Sequence, residues 1–580
     1  MPASPFSNNS KTLKFIFSYR RQILILFLFS LISSSFPLVA PYISKLFIDK
    51  VFVDKDFSKF WNLSILGVSL FVLTMFVKGI SDIVKNRIAI KLRFNLSNKF
   101  IKKLYSLDLG FFQSRSVGEN IYRLSDTESI INFSTEQCPA LLVDIIKLPI
   151  ILGIAFLINL PMTVSLLILS PLFILQSVYL QKKLKPIYAQ IWDYSSRLSK
   201  EVAEAFSRIS VIKLLGLETY KKHSYLRSLI KNIRWKIKSF RWFVIGSLSA
   251  SFLSQVVYGA ITLYGGWLII NSRLTLGSYT AVMLYLTQLG GLLQSLGHRF
   301  EYITQDIVSI EKFVEVMENS PKIKDAPEAK SLSCIKGGIA FKGVWFGYQK
   351  ENPVFEGVNF NIPPASWVSI AGPSGSGKST LANLMLRLYE PWQGSVLFDG
   401  IDLKSIKLKS LWALVSIATQ QPFLFDQSIG ENIAYGLKNK GKNCIEEAAK
   451  AAAIHNIVIA LPHGYDTRIG EDACFLSYGM KQKIAIARAI MRRPDILILD
   501  EAFASVDSLA EEEIISRLKK ISDIKTVILV SHRLSTVLSA DFTLFIKGPR
   551  EIIMDSPGQL LKKEEGFRSL FAEQLQAKIS

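Results

Sequence analysis

The first half of the chain contains apolar runs long enough to cross a lipid bilayer, which takes about 20 helical residues. Residues 244–270 and 274–296 contain no charged side chain. Further apolar runs cover residues 23–42 and 63–77, and a pair of runs covers residues 149–179, interrupted only at Asn159, Leu160 and Pro161. This pattern predicts six membrane-spanning helices.

Two long polar connections separate these runs, one after the second predicted span and one after the fourth. In the latter, apolar residues recur at steps of three and four, the spacing of one face of a helix: Leu198, Val202, Ala205, Ile209 and Ile212. We therefore expect the spans to continue beyond the bilayer as amphipathic helices. Asp144 and Lys147 are expected to form an ion pair within one helix, because they are three residues apart.

The pattern changes after a linker that contains Pro321 and Pro327. From Gly338 onward, short apolar runs of strand length alternate with helical patterns, as in a soluble α/β domain. The predicted organisation is a transmembrane domain of six helices over residues 1–318, a linker over 319–337 and an α/β domain over 338–580. The predicted fold class is thus an α-helical transmembrane domain, with long helical extensions of its six spans, followed by an α/β domain.

The α/β domain contains a phosphate-binding loop. Residues 368–380 read VSIAGPSGSGKST, which runs from an apolar strand through glycines into a helix. Glycines let backbone N–H groups wrap a phosphate, and the helix N-terminus adds positive dipole. Lys378 would contact the β- and γ-phosphates of ATP, and the Ser379 hydroxyl would bind Mg²⁺. The predicted loop comprises Gly372, Pro373, Ser374, Gly375, Ser376, Gly377, Lys378, Ser379 and Thr380.

Two acidic residues follow a second apolar strand of this domain, in the sequence ILILDE at residues 496–501. A parallel strand next to the phosphate loop would bring Asp500 to the Mg²⁺ ion. Glu501 could then act as the general base that polarises the attacking water. His532 follows another apolar strand and could reach the γ-phosphate.

With these motifs, the chain resembles an ABC transporter half of the exporter type over nearly its whole length. Residues 476–480, LSYGM, stand where the family has its LSGGQ signature. The resemblance implies that Gln420 is the Q-loop glutamine that contacts Mg²⁺, that Tyr348 stacks on adenine, and that Asp507 belongs to the D-loop. It also implies that Ser477 and Gly479 contact ATP held by a second ATPase domain. Residues 109–126 resemble the segment that leads into the first coupling helix of the membrane domain.

Three positions depart from the family pattern. Tyr478 and Met480 replace the first glycine and the glutamine of the signature, and Ala504 replaces the usual D-loop serine. We expect a working but slower composite site. Because altered signatures also occur in unequal pairs of half-transporters, both a homodimer and a heterodimer fit the sequence.

Composition and charge decide how the chain is oriented. The 580 residues carry a net charge of +22 and a mean hydropathy of +0.29, and 49% of them are hydrophobic. This apolar content excludes a disordered protein, and the four cysteines (Cys138, Cys334, Cys444 and Cys474) are too few for a disulfide-rich fold and lack metal-ligand spacing with the histidines. Of the net charge, +19 belongs to residues 1–330 and +3 to residues 331–580, so the excess predicts membrane orientation and not nucleic-acid binding.

The basic residues concentrate in the long connections; residues 182–241 hold 15 basic and 4 acidic side chains. These connections, the N-terminus and the ATPase domain are therefore expected in the cytoplasm, with the spans in the inner (plasma) membrane of a bacterium in contact with its lipids. Short segments at residues 123–128 and 207–211 are expected to contact the ATPase domain.

The function implied by the resemblance is ATP-driven export or flipping of an amphipathic substrate, such as a lipid, a lipopeptide or a hydrophobic drug. Two chains would hold ATP and Mg²⁺ between their ATPase domains, and hydrolysis would drive alternating access. Export of a peptide and an ATP-gated channel are the alternatives.

Overall fold

The computed structural model of the protein describes residues 19–437, 441–470 and 476–576. Cys474 and the N-terminal segment, whose cytoplasmic location is predicted above, lie outside the described residues. The chain divides into two compact units, Met1–Ser320 and Pro321–Ser580.

The first unit is built from helices, of which six exceed 20 residues in the part of the chain that the structure describes. In chain order the helices are α1 (Arg20–Leu46), α2 (Phe57–Tyr105), α3 (Leu109–Ser114), α4 (Val117–Ser125), α5 (Thr127–Asn132), α6 (Cys138–Ile158), α7 (Leu160–Ser207), α8 (Ile209–Leu214), α9 (Glu218–Ile270) and α10 (Leu276–Glu318). Single π-helical segments, Phe47–Val53 and Phe133–Gln137, follow α1 and α5.

Four stretches of described residues are both long and apolar enough to cross a membrane: Arg20–Val53, Phe57–Tyr105, Val117–Ile158 and Glu218–Ile270. The long helices α7 and α10 include residues whose side chains are not described. That α7 and α10 also span the membrane, which would give six spans, stays a prediction.

The helices extend far beyond the predicted spans, since α2 has 49 residues, α7 has 48 and α9 has 53. The apolar stripe does not lie on one continuous helix, however. Arg208 has a non-helical backbone conformation and separates α7 from α8. Ile212 is buried, whereas Val202 and Ile209 remain exposed within this unit.

Side-chain packing joins the helices of the first unit. Phe100 of α2 stacks on Phe313 of α10, with ring centroids 4.9 Å apart, and the hydroxyl of Tyr285 in α10 donates a hydrogen bond to the Leu38 carbonyl of α1. The expected ion pair within α6 is wrong. Asp144 instead accepts from the Arg299 guanidinium of α10 at 2.7 Å and from the Ser295 hydroxyl, because α10 presents a cation that is better placed than the one three residues along the chain.

The second unit contains two sheets. Its strands are β1 (Ile339–Phe346), β2 (Phe355–Ile362), β3 (Trp367–Ala371), β4 (Gln393–Phe398), β5 (Ile401–Asp402), β6 (Val415–Ala418), β7 (Ile496–Asp500), β8 (Thr526–Val530), β9 (Phe542–Ile546) and β10 (Ile552–Asp555). An antiparallel sheet has the order β2-β1-β4-β5, and a mostly parallel sheet has the order β10-β9-β3-β8-β7-β6.

Among the residues that the structure describes, this unit also contains eleven α-helices. They are α11 (Lys378–Met385), α12 (Leu408–Leu414), α13 (Ile429–Ile433), α14 (Lys442–Ala451), α15 (His455–Ile459), α16 (Tyr478–Met491), α17 (Ser508–Leu518), α18 (Leu534–Leu538), α19 (Pro557–Lys563), α20 (Glu565–Leu570) and α21 (Ala572–Gln576). All residues of β7 and β8 are buried, as expected for strands covered on both faces.

The strand order positions the site. Strands β3, β8, β7 and β6 are parallel neighbours, so their carboxyl ends meet at one edge of the sheet. The loops that leave this edge carry the phosphate loop, His532, Glu501 and Gln420. Strand β8 lies between β3 and β7, and β7 nevertheless ends beside the phosphate loop, where the Ser379 hydroxyl donates to Asp500.

Candidate nucleotide site

The phosphate loop connects β3 to α11 through backbone conformations that need glycine. Gly377, directly before α11, has φ of 100°, in the left-handed region. A Cβ atom on Gly372 would lie 2.8 Å from the Ser376 hydroxyl and 2.9 Å from the Ile546 carbonyl, so no side chain fits there. Pro373, Ser374 and Gly375 are exposed at the tip of the loop, which leaves the loop open to a ligand.

Lys378 is buried under this loop. Its ammonium group donates hydrogen bonds to the carbonyl oxygens of Gly372 and Pro373, each at 3.0 Å. Burial lowers the pKa of Lys378, while the nearby carboxylates of Glu501 and Asp500 oppose that shift. A cation held beneath open backbone amides is well placed to attract the phosphates of a nucleotide.

Asp500 ends β7 as a buried carboxylate. Burial raises its pKa above the ordinary value, whereas a hydrogen bond from the Ser379 hydroxyl and the charge of Lys378 act in the opposite direction. Among the described residues, its Oδ1 atom has no hydrogen-bond partner. A carboxylate oxygen that lacks a partner beside a hydroxyl is the kind of donor set that Mg²⁺ prefers, so these residues fit the ion.

Glu501 directly follows β7 at this edge of the sheet. Its backbone has φ of 49°, in the left-handed region, and its N–H donates to the Val530 carbonyl of β8. Gln420 donates from Nε2 to Glu501 Oε2 at 2.6 Å, and Nε2 of His532 lies 3.1 Å from Glu501 Oε1. Three residues predicted from separate motifs therefore meet at one carboxylate.

Tyr348 lies beside α11, the helix that follows the phosphate loop. Its hydroxyl is 3.2 Å from the Thr380 hydroxyl and accepts from Asn383 at 3.4 Å. The ring packs edge-on against Tyr389, with centroids 5.2 Å apart, and the side chain is 52% exposed. An exposed aromatic ring joined to the phosphate loop could stack on a nucleotide base.

The signature and D-loop residues form a second cluster. Ser477 caps α16 by accepting from the Met480 N–H, and Asp507 caps α17 by accepting from the Ala510 N–H. A Cβ atom on Gly479 would lie 2.7 Å from the Ser505 carbonyl. Among the described residues, no hydrogen bond joins Ser477, Gly479 or Asp507 to the phosphate loop of the same chain.

Sequence reasoning missed the residues that hold these loops together. Gln482 is buried; its Oε1 accepts from the Ser505 N–H at 3.0 Å and its Nε2 donates to the Gln420 carbonyl at 3.4 Å. The Tyr478 hydroxyl donates to the same Gln420 carbonyl at 2.9 Å. A signal existed for Gln482, since it is a polar residue one helical turn from Tyr478 beside the apolar run of residues 484–487.

Arg533 and Glu511 form a second such link. The buried Glu511 carboxylate accepts from Arg533 and from the Thr536 hydroxyl. Arg533 also donates to the D-loop carbonyls of Val506, at 2.9 Å, and Ala504, at 3.3 Å. The residue next to His532 thus fixes the D-loop.

Comparison with known proteins agrees with this architecture. Residues 23–293 match the family described as the ABC transporter transmembrane region, and residues 355–504 match the family described as ABC transporter. An ATP-dependent lipid A-core flippase of Syntrophus aciditrophicus is 30% identical over 474 residues, which cover 81% of this chain and 78% of the relative. A fatty acid ABC transporter ATP-binding/permease protein of Mycobacterium bovis is 29% identical over 464 residues, which cover 80% of this chain and 73% of the relative.

The solved structure of a bacterial Atm1-family ABC exporter with ATP bound matches with a TM-score of 0.88 and 26% identity, over 96% of this chain and 98% of that chain. Fold and site define an integral membrane protein that binds and hydrolyses ATP to drive export, with membrane and ATPase domains on one chain. The chain belongs to the ABC exporter family. The predicted family, fold class and ATP-driven transport are thereby confirmed.

Proposed function

We propose that the protein exports or flips an amphipathic substrate, such as a lipid, a lipopeptide or a hydrophobic drug, with Glu501 as the general base of ATP hydrolysis. The observation that carries the catalytic part is the Glu501 carboxylate, which lies between Gln420 and His532 beside the buried Asp500. In hydrolysis, a water oxygen attacks the γ-phosphorus, Glu501 accepts the proton, and the bond to the ADP oxygen breaks.

The other residues of this edge bind and orient the nucleotide. Lys378 and the backbone of the phosphate loop hold the β- and γ-phosphates, Tyr348 stacks on adenine, and His532 contacts the γ-phosphate. Mg²⁺ would be held by Ser379, Asp500 and Gln420, and when bound it neutralises phosphate charge. The unpartnered oxygen of Asp500 supports this assignment.

A second chain completes the site. In the part of the chain that the structure describes, Ser477, Gly479 and Asp507 form no hydrogen bond to the phosphate loop of their own chain, and Asp507 is largely exposed. A two-fold pair of ATPase domains would place these residues on the nucleotide of the partner. We propose a homodimer; a heterodimer would use the same surface.

The membrane part of the proposal rests on hydropathy, charge and relatives. Relatives named as a lipid A-core flippase and a fatty acid transporter support an amphipathic substrate. The 15 basic and 4 acidic residues of segment 182–241 support a cytoplasmic location of the helical extensions, and with them of the N-terminus and the ATPase domain, in a bacterial inner membrane.

The decisive experiment for the catalytic role compares Glu501→Gln with Glu512→Gln in the full chain reconstituted in liposomes. The second variant removes the same charge from an exposed position of α17, outside the site. We expect Glu501→Gln to lose at least 100-fold of the ATPase rate while retaining ATP binding, because a general base contributes about 10²–10⁴-fold. Turnover of Glu501→Gln close to that of Glu512→Gln would contradict the assignment.

The substrate class needs a separate measurement. The same liposomes are loaded with fluorescent phospholipids, lipopeptides, unmodified peptides or hydrophobic drugs. ATP-dependent movement of an amphipathic probe, absent in Glu501→Gln, is the expected result. Movement of unmodified peptides alone, or an ATP-dependent ion conductance without uphill transport, would replace this proposal with the peptide exporter or the channel.

A further inference from the structure

Tyr478 is the position at which this chain departs most from the family signature, and its side chain has a specific partner. Tyr478 is the first residue of α16 and follows the capping residue Ser477. Its hydroxyl donates a hydrogen bond of 2.9 Å to the Gln420 carbonyl in the loop after β6. A glycine could not make this bond, so the contact is a property of this chain.

The loop that Tyr478 holds covers the proposed catalytic base. The side chain of the same Gln420 donates to Glu501 Oε2 at 2.6 Å. The amide nitrogen therefore occupies a position in the hydrogen-bonding shell of Glu501 that an attacking water would take. His532 lies at the other carboxylate oxygen, at 3.1 Å, so both oxygens of Glu501 are engaged within one domain.

A second contact supports the same arrangement from the next turn of α16. Gln482 donates to the Gln420 carbonyl at 3.4 Å and to the Glu501 carbonyl at 3.5 Å. Since Gln482 is buried and Tyr478 is 45% exposed, Tyr478 is the contact that solvent or a partner domain can break. The shorter bond to Gln420 is thus the releasable one.

We propose that Tyr478 is a positioning residue that holds Gln420 over Glu501 and lowers the resting rate of ATP hydrolysis. The inference rests on the proposed role of Glu501 as general base. Release of the Tyr478 bond lets the Gln420 side chain leave Glu501 for the Mg²⁺ ion that it is proposed to bind, so that a water molecule can approach Glu501. When the ATPase domains of two chains close on each other, contact of Tyr478 with the partner domain would break this hydrogen bond.

The test is Tyr478→Phe in the full chain reconstituted in liposomes without transport substrate. One net hydrogen bond changes a population about 2- to 10-fold, so we expect basal kcat to rise by that factor with a KM for ATP changed less than about 2-fold. Hydrogen exchange over residues 419–427 of the nucleotide-free protein is expected to accelerate by a similar factor, a readout that does not involve turnover.

The matched control is Tyr465→Phe, which also removes a tyrosine hydroxyl with a 2.8 Å contact, here to His455, away from the nucleotide site. Its basal rate should equal that of the unmodified chain. Tyr478→Gly, which restores the family residue, should raise the rate as Tyr478→Phe does. An unchanged or lower rate in both Tyr478 variants, or unchanged exchange over residues 419–427, overturns the proposal.

A double variant tests the route through Gln420. In a Gln420→Ala background, assayed with excess Mg²⁺ because Ser379 and Asp500 then remain to hold the ion, Tyr478→Phe should not change kcat further, since no amide covers Glu501. The same fold-change in both backgrounds overturns the proposal. The two hypotheses fail differently. If the double variant Tyr478→Phe/Glu501→Gln keeps a high ATPase rate, the proposed role of Glu501 is wrong. If this double variant is inactive and the single variant Tyr478→Phe has the rate of the unmodified chain, only the proposed role of Tyr478 is refuted.

Discussion

Neutralising Asp500 should stabilise the nucleotide-free protein and weaken its response to Mg²⁺ and nucleotide. Burial raises the pKa of this carboxyl, and its Oδ1 has no partner among the described residues. A carboxyl whose pKa is higher in the folded than in the unfolded chain binds its proton more tightly when folded. The folded state therefore loses stability as the pH rises through the folded-state pKa. Asp500→Asn removes that loss and can keep the hydrogen bond to Ser379.

The magnitude follows from the charge at the unpartnered oxygen. A buried polar group without a partner costs about 1–3 kcal/mol, and a charged one costs more. In Asp500→Asn a neutral NH₂ group takes the unpartnered position, so the substitution recovers only the cost of the charge, of which Lys378 already offsets part. We expect a gain of about 1–2 kcal/mol at neutral pH. For a unit of this size, Pro321–Ser580, 1 kcal/mol corresponds to about 2–4 °C in melting temperature, so the expected increase is about 2–8 °C.

The assay is thermal unfolding of the purified full chain between pH 4 and pH 8, with and without a non-hydrolysable ATP analogue and Mg²⁺. The difference in melting temperature between Asp500→Asn and the unmodified chain should shrink toward zero as the pH approaches about 4, the ordinary aspartate pKa. At that pH, Asp500 of the unmodified chain is protonated. A ligand present at 100 times its Kd adds about 2.7 kcal/mol to the free energy of unfolding. The part of this stabilisation that depends on Mg²⁺ should be lost in Asp500→Asn.

The control for sign is Asp507→Ala. The hydrogen bond from the Ala510 N–H lowers the pKa of Asp507, so this substitution should lower the melting temperature at neutral pH. A melting temperature of ligand-free Asp500→Asn below that of the unmodified chain at pH 7.5, or a difference independent of pH, would refute the reasoning.

Three further predictions concern single residues of the ATPase unit. Lys378→Ala should weaken nucleotide binding at least 10-fold in equilibrium titrations, since it removes the buried cation beneath the phosphate loop; unchanged affinity would count against the loop assignment. Glu511→Gln should destabilise the unit by about 2 kcal/mol or more in thermal unfolding, because the partly buried Arg533 loses its counter-ion; equal stability would show that solvent replaces the pair. Gly479→Ala should reduce ATPase turnover at least 10-fold without loss of ATP binding to the isolated chain, since its Cβ would approach the Ser505 carbonyl to 2.7 Å; full turnover would show that the D-loop can shift.

Sequence patterns predicted what is local in the chain. The phosphate loop is one continuous segment, and its glycines, Lys378 and Ser379 could be assigned because their spacing alone defines the chemistry. The apolar runs predicted the long helices because a helix satisfies its backbone hydrogen bonds within its own segment. Glu501 and His532 could be selected because each follows an apolar strand, and parallel strands end at a common edge.

Contacts between distant segments could not be predicted. Nothing in residues 526–530 indicates that β8 lies between β3 and β7, because strand order depends on the whole sheet. Asp144 pairs with Arg299, 155 residues away, in preference to its neighbour in α6. Periodicity also could not locate the break at Arg208, because the residues on both sides continue the same helical spacing.

The altered signature shows why the structure changes the interpretation of a motif. By sequence, the loss of one glycine at Tyr478 and the retention of the other at Gly479 look like equivalent events. In the structure, position 478 is half exposed and accommodates a side chain that binds Gln420, whereas position 479 faces the Ser505 backbone with no room for a Cβ atom. The chain therefore keeps the glycine that backbone packing requires and uses the other position for a contact, which is why Tyr478 need not mark a degenerate site.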